Sequence, residues 1–145
     1  MTKPTTFKFG EFLIEVGDGA SPETFTAPCG LTSRSLNGTA ATNDTNVPDC
    51  DDPDAPSWLE RDVVSLSRDI QGSGVLAGEF FDTWNDWFES ADSKHCRVTV
   101  GPNASPYQKV FTGSYILSSF QVNSNIGNRV EVSVTLQSDG PVLAA

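Results

Sequence analysis

At 145 residues the chain is long enough to bury an ordinary core, and 37% hydrophobic with 19% charged content lies inside the globular range. Nine basic against nineteen acidic side chains leave a net charge of −10 and no Lys/Arg cluster. That balance counts against a sequence-reading nucleic-acid binder, which needs cations for phosphate contacts. No apolar run is long enough to span a bilayer, and the polar start Met1-Thr2-Lys3-Pro4-Thr5-Thr6 lacks the apolar core of a secretory signal. The expectation is one domain over residues 1–145, folding alone or as a protomer of something larger.

In chain order, Phe7 to Val16 alternates Phe12, Ile14 and Val16 against Glu11 and Glu15, and Gly17-Asp18-Gly19 ends this first predicted strand. A second strand is predicted from Phe25 to Leu36, bent at Pro28 and Gly30. Residues 37–57, from Asn37 past Pro56, are rich in Asn, Thr, Asp, Gly and Pro and hold almost nothing able to fill a core. They read as a long acidic loop, and a structureless loop of that size is usually functional or ordered by a partner. After Trp58-Leu59-Glu60-Arg61 comes a strand with Val64, Leu66, Arg68 and Ile70 on one face and Ser65, Ser67 and Asp69 on the other. Gln71-Gly72-Ser73-Gly74 reads as the turn that closes it. From Val75 to Ala91 the period changes: Leu76, Phe80, Trp84, Trp87 and Ala91 fall at helical spacing, joined by Ala77, Phe81 and Phe88. Ser93 to Val100 returns to strand character, and Gly101 to Pro106 forms a turn. A last hairpin joins Phe111–Leu117 to Val130–Leu136 through Asn125-Ile126-Gly127-Asn128. Its second strand sets Val130, Val132, Val134 and Leu136 against Glu131, Ser133, Thr135 and Gln137. The fold class is mainly β with one α-helix.

Constellations that carry chemistry are thin. Asp49, Asp51, Asp52 and Asp54 have the oxygen density of a calcium loop but lack the turn glycine and closing glutamate of an EF-hand, so they read as a solvated loop. Gly72-Ser73-Gly74 lacks a Walker lysine, and no Gly-x-Ser-x-Gly occurs. His95 and Cys96 are neighbours in a strand and point to opposite faces, which disfavours zinc. Cys29, Cys50 and Cys96 are an odd, widely spaced set that reads as free thiols in a reducing compartment, with a Cys29–Cys50 bridge as the alternative. The residues call for no enzyme, metal or cofactor.

Four segments in order carry a resemblance: Cys29-Gly30-Leu31-Thr32-Ser33-Arg34-Ser35-Leu36-Asn37, Trp58-Leu59-Glu60-Arg61, Asp69-Ile70-Gln71-Gly72-Ser73-Gly74-Val75, and the closing strands to Gln137-Ser138-Asp139-Gly140-Pro141. The chain resembles the major tail tube protein of long-tailed bacteriophages and gene transfer agents. That resemblance implies an antiparallel β-sandwich or partly closed barrel flanked by a helix, assembled as hexameric rings that stack into a hollow tube for the genome. The implied partners are further copies of itself, tape measure, tail terminator and distal tail or baseplate proteins, and passing double-stranded DNA. The implied location is the virion tail, with assembly in the host cytoplasm. On this chain the expected inter-ring contacts are Thr5 in the amino-terminal segment and Asp44, Asp49, Asp51, Asp52, Asp54 and Trp58 in or beside the long loop. The expected lumen residues are Ser65, Ser67, Asp69, Glu131, Ser133, Thr135 and Gln137. Alternatives are another tube-fold part, such as a tail terminator or secretion-system tube, and a monomeric carbohydrate-binding β-sandwich using Trp58, Trp84, Trp87 and Tyr107.

Overall fold

In a computed structural model, which describes residues 2–144, the strands form one antiparallel, seven-stranded open sheet. After a short 3-10 turn at Phe9–Glu11 come β1 (Phe12–Gly17), β2 (Phe25–Thr26), β3 (Leu31–Asn46), β4 (Leu59–Val75), α1 (Gly78–Ser90), β5 (Lys94–Val100), β6 (Lys109–Asn123) and β7 (Glu131–Ala144). Their order across the sheet is β2-β1-β5-β6-β7-β4-β3.

The sheet reaches a single core because β6 and β7 serve two sets of neighbours. The first half of β6 pairs with β5, and from Phe111 to Asn123 it runs along β7 through register shifts between Gly113 and Tyr115 and between Leu117 and Ser119. Such bulges bend a strand and increase its twist. Ile14 and Val16 of β1 and Cys96 and Val98 of β5 thereby share one core with Ile70 of β4, Leu117 of β6, and Val132, Val134 and Leu136 of β7. Helix α1 packs Trp84 and Trp87 into the same core, at 2% and 1% exposure, with the Trp87 Nε1–H donating to the Asp92 carbonyl at 2.8 Å. A left-handed Ala91 ends the helix.

Several sequence expectations change. The predicted loop over residues 37–57 is for the most part strand: β3 continues to Asn46, paired from Asn37↔Asp69 to Asn46↔Leu59, and only 47–58 is irregular. Most of this distal ladder is exposed on both faces, so it has no hydrophobic period to betray it; backbone hydrogen bonds hold it. The Gly72-Ser73-Gly74 turn is also absent, since all three residues lie inside β4. A Cβ on Gly74 would collide with the Gly30 carbonyl, so glycine there permits β3 to approach rather than reversing the chain. The first strand starts at Phe12 rather than Phe7, the predicted second strand divides into β2 and β3, and β7 runs past Gly140 to Ala144. Val64 and Leu66 stay 56% and 79% exposed, because the distal half of β4 extends beyond the core. Cys29 and Cys50 flank opposite ends of β3. Sixteen residues at ~3.3 Å each set them roughly 50 Å apart, too far for a bridge.

Candidate assembly surfaces

Antiparallel partners point to the same side of a sheet, so the register of β6, β7, β4 and β3 defines a continuous face. Opposite the buried Val132, Val134, Leu136 and Ile70, that face carries Ser133, Thr135 and Gln137 on β7, paired with Ser73, Gln71 and Asp69 on β4. These continue into Ser33, Ser35 and Asn37 on β3 and into Ser119, Gln121 and Asn123 on β6. Ser67 and Ser65 extend it along the distal hairpin opposite Thr39 and Ala41. Glu131, exposed, pairs with Asn123 and Val75. All seven expected lumen residues therefore share one surface. The β3 and β6 residues of this surface escaped the sequence reading, although Ser119, Gln121 and Asn123 alternate with Phe120 and Val122.

Beyond Ser65 a register shift at Val64 changes the parity of β4, placing Asp62 and Glu60 on this same side and Arg61 on the other. The face thus presents four carboxylates, Glu60, Asp62, Asp69 and Glu131, and neither Lys nor Arg at its paired positions. Arg34 and Arg68 both lie on the opposite side. Arg34 donates to the Phe12 carbonyl and sits over the Phe9 ring at 4.3 Å, and Arg68 sits over the Phe111 ring at 4.6 Å. These two cations are engaged behind the surface, while Arg129, exposed in the turn before β7, stands at its margin two residues from Glu131.

The sheet also has long free edges. Among the described residues, β3 has β4 on one side and no strand on the other, and β6 has no neighbour opposite β7 after Tyr115. A third gap opens within the sheet, because β4 pairs with β7 only from Asp69 to Val75. Above that level β7 bulges through Asp139, Gly140 (φ 96°) and Pro141, and the distal hairpin splays away. The last tie is the Arg68 backbone N–H, which donates to Ser138 Oγ at 3.0 Å.

The expected inter-ring residues are brought together only in part. Asp49, Asp51, Asp52, Asp54 and Trp58 occupy the hairpin tip, where Trp58 is 92% exposed and Asp51 N–H donates to Asp49 Oδ1 at 2.9 Å. Asp44 sits just below the tip in β3, paired with Arg61 at 3.4 Å; both are exposed, so the pair adds little stability. Thr5 is exposed in the irregular segment before β1.

Cys29 and Cys50 carry exposed free thiols, whereas Cys96 and Tyr115 are shielded in the core. Burial pushes the Cys96 thiol up to about 12 and the Tyr115 phenol to about 12, so both stay protonated near neutrality. At the end of the sheet away from the hairpin tip, His95 Nδ1 lies 3.1 Å from Glu23 Oε1. The Asp18 carboxyl there is held below its ordinary range by the backbone N–H groups of Ala20 and Thr24. No group of three or more His, Cys, Asp or Glu placed to hold a metal occurs among the described residues. The sugar-binding alternative loses Trp84 and Trp87 to the core and keeps only Trp58 and Tyr107 exposed.

Comparison with known proteins agrees with this architecture. The chain's fold is similar to the tail of an empty gene transfer agent particle refined with helical C6 symmetry, at 16% identity and a TM-score of 0.77, covering 97% of this chain and 99% of that one. It is similar to the SPP1 tail tube, at 12% identity and a TM-score of 0.63, covering 96% and 78%. The sheath-tube complex of an extracellular contractile injection system matches at 15% identity and a TM-score of 0.60, covering 97% and 91%. No curated protein sequence matches. The sequence model of the phage tail tube protein family matches residues 6–144, and the chain belongs to that family of structural proteins.

Proposed function

We propose that copies of this chain close side by side into six-fold rings, which stack into a tail tube whose bore is the polar face of β6, β7, β4 and β3. The observation that carries this reading is the polar, anionic ladder itself: four strands rich in Ser, Thr, Asn and Gln with four carboxylates and no basic side chain at a paired position. Repeated around a ring, those carboxylates produce a field that repels phosphate, so double-stranded DNA slides past without adhering. The free edges support closure. Along the sheet β3 and β6 run in opposite directions, so rotating copies about an axis roughly parallel to the strands sets β3 of one copy antiparallel to residues 116–123 of the next. The ladder then continues from copy to copy, and the edges that would invite uncontrolled pairing disappear.

In this reading the acidic hairpin tip with Asp44 and Trp58, and the segment containing Thr5, reach the adjacent ring. The tape measure occupies the bore before DNA does, while terminator and distal tail or baseplate proteins cap the ends. The tube forms in the host cytoplasm and acts in the virion tail. The test is a charge reversal on the face: Glu131→Lys or Asp69→Lys in assembled particles. Tubes of normal length with genome release slowed several-fold are expected; release at the parent rate would remove both residues from the bore.

A further inference from the structure

The β6–β7 turn and the gap beside β7 are matched in apolar character and in position along the strands. Within the turn Gly127 has φ 87° and the Asn128 N–H donates to the Asn125 carbonyl at 3.1 Å, which places Ile126 at the apex. Ile126 is 104% exposed, an apolar side chain with no neighbour in its own chain, and Val122 and Val130 beside it are 41% and 40% exposed. The exposed Arg129 completes the turn. The gap, about 630 Å³, lies between the splayed distal hairpin and the end of β7. Ala40, Leu66, Pro141, Val142 and Leu143 give it an apolar lining, with Leu66 79% and Leu143 70% exposed, and Arg68, held over the Phe111 ring, borders it. Its walls hold unpaired strand edges, from Leu59 to Ser67 on β4 and beyond Ser138 on β7.

Strand direction puts these two features at opposite ends of β7, with the hairpin tip rising beyond the gap. β7 rises from the turn toward the gap, and β4 descends from the hairpin tip toward the level of the turn. Copies stacked head to tail along the strands therefore bring the turn of one copy to the gap of the next. We propose that the β6–β7 turn docks into the gap of a second copy in the neighbouring ring, with Ile126 seated between Leu66 and Leu143 and Arg129 facing the carboxylates of the splayed hairpin. The hairpin beside the gap supplies Asp44, Glu60, Asp62 and the tip aspartates, while the turn offers Arg129 and no carboxylate between Asn123 and Val130. This docking rests on the tube reading and specifies how successive rings engage.

The experiment uses the full chain. Ile126→Asp removes the apolar apex without touching the protein's own core, so its thermal unfolding should match the parent. By sedimentation and negative-stain microscopy it should give closed rings that fail to stack, with the concentration for half-maximal tube formation raised roughly tenfold or more. A second arm places Ile126→Cys and Leu66→Cys in a Cys29→Ser, Cys50→Ser background. Leu66 lies nine residues from the end of β4, roughly 30 Å from the turn, so the two thiols cannot bridge within one chain. Oxidation should give a ladder of linked chains only when both cysteines are present. Parent tubes together with unaltered Ile126→Asp tubes and no ladder would overturn the docking while leaving the tube intact. A parent protein that forms neither rings nor tubes would overturn both.

Discussion

Cys96 and Trp87 show what burial does to single side chains here. Cys96 is fully buried in β5 with its thiol raised to about 12, whereas Cys29 and Cys50 are exposed. The nucleophile in thiol modification is the thiolate, so reactivity needs both access and ionisation, and Cys96 has neither. A maleimide at pH 8 is expected to label Cys29 and Cys50 in the native protein and Cys96 only after denaturation, a difference read by mass spectrometry. Rapid native labelling of Cys96 would contradict its placement. Trp87 stacks on Trp84 with ring centroids 6.0 Å apart and lies under Lys94. Trp87→Ala deletes a large core side chain and leaves the Asp92 carbonyl without its indole donor. A loss of about 3–5 kcal/mol is expected in urea unfolding, and a loss under 1 kcal/mol would mean that the helix is not anchored through this residue.

Among the elements, the β3–β4 hairpin separates stability from assembly most cleanly. Its distal half lies outside the core, so replacing residues 47–58 with an Asn-Gly turn between Asn46 and Leu59 should leave the melting temperature within about 2 °C of the parent. Tubes should be lost, as followed by light scattering. Tubes of normal length from the shortened chain would show that the tip makes no contact between rings. This hairpin also marks where sequence reading gives out. β7 was legible because one face meets the core and the other meets water, so Val132, Val134 and Leu136 alternate with polar residues. The helix was legible for the same reason: Trp84 and Trp87 share a buried stripe. β3 beyond Leu36 has water on both sides, and Thr, Asn and Ala there satisfy a ladder without leaving a hydrophobic period. Gly72 and Gly74 look like turn residues, because the close approach of Gly30 and Leu31 that requires them is a tertiary contact. The candidate bore followed the same pattern. Its β7 residues and Ser65, Ser67 and Asp69 of β4 were readable from alternation, while the β3 and β6 residues and Glu60, Asp62, Gln71 and Ser73 of β4 became visible only through strand register.

For the whole molecule, the decisive property is an asymmetry between two sides of one sheet. One side supplies the core and carries the helix, with Phe81 edge-on to Phe120 at 6.2 Å; the other is polar, anionic and unpartnered. A monomer gains nothing evident from leaving such a long β3 edge free, and an edge of that length is a standing template for pairing. Lateral closure resolves both features together. In the proposed ring it would place every copy's polar face on the same side and turn β3 from a hazard into an interface. In the proposed tube, carboxylates from successive copies would lie within one cylinder where like charges reinforce one another, and added salt should screen their effect on DNA passage. The most direct measurement is a helical cryo-EM reconstruction of tubes grown from the purified chain. The expected map has a central hole lined by β6, β7, β4 and β3, with Asp69 and Glu131 projecting into it and α1 on the outer wall; a tube with α1 facing the hole, or a chain that remains a single unassociated copy at high concentration, would contradict the account.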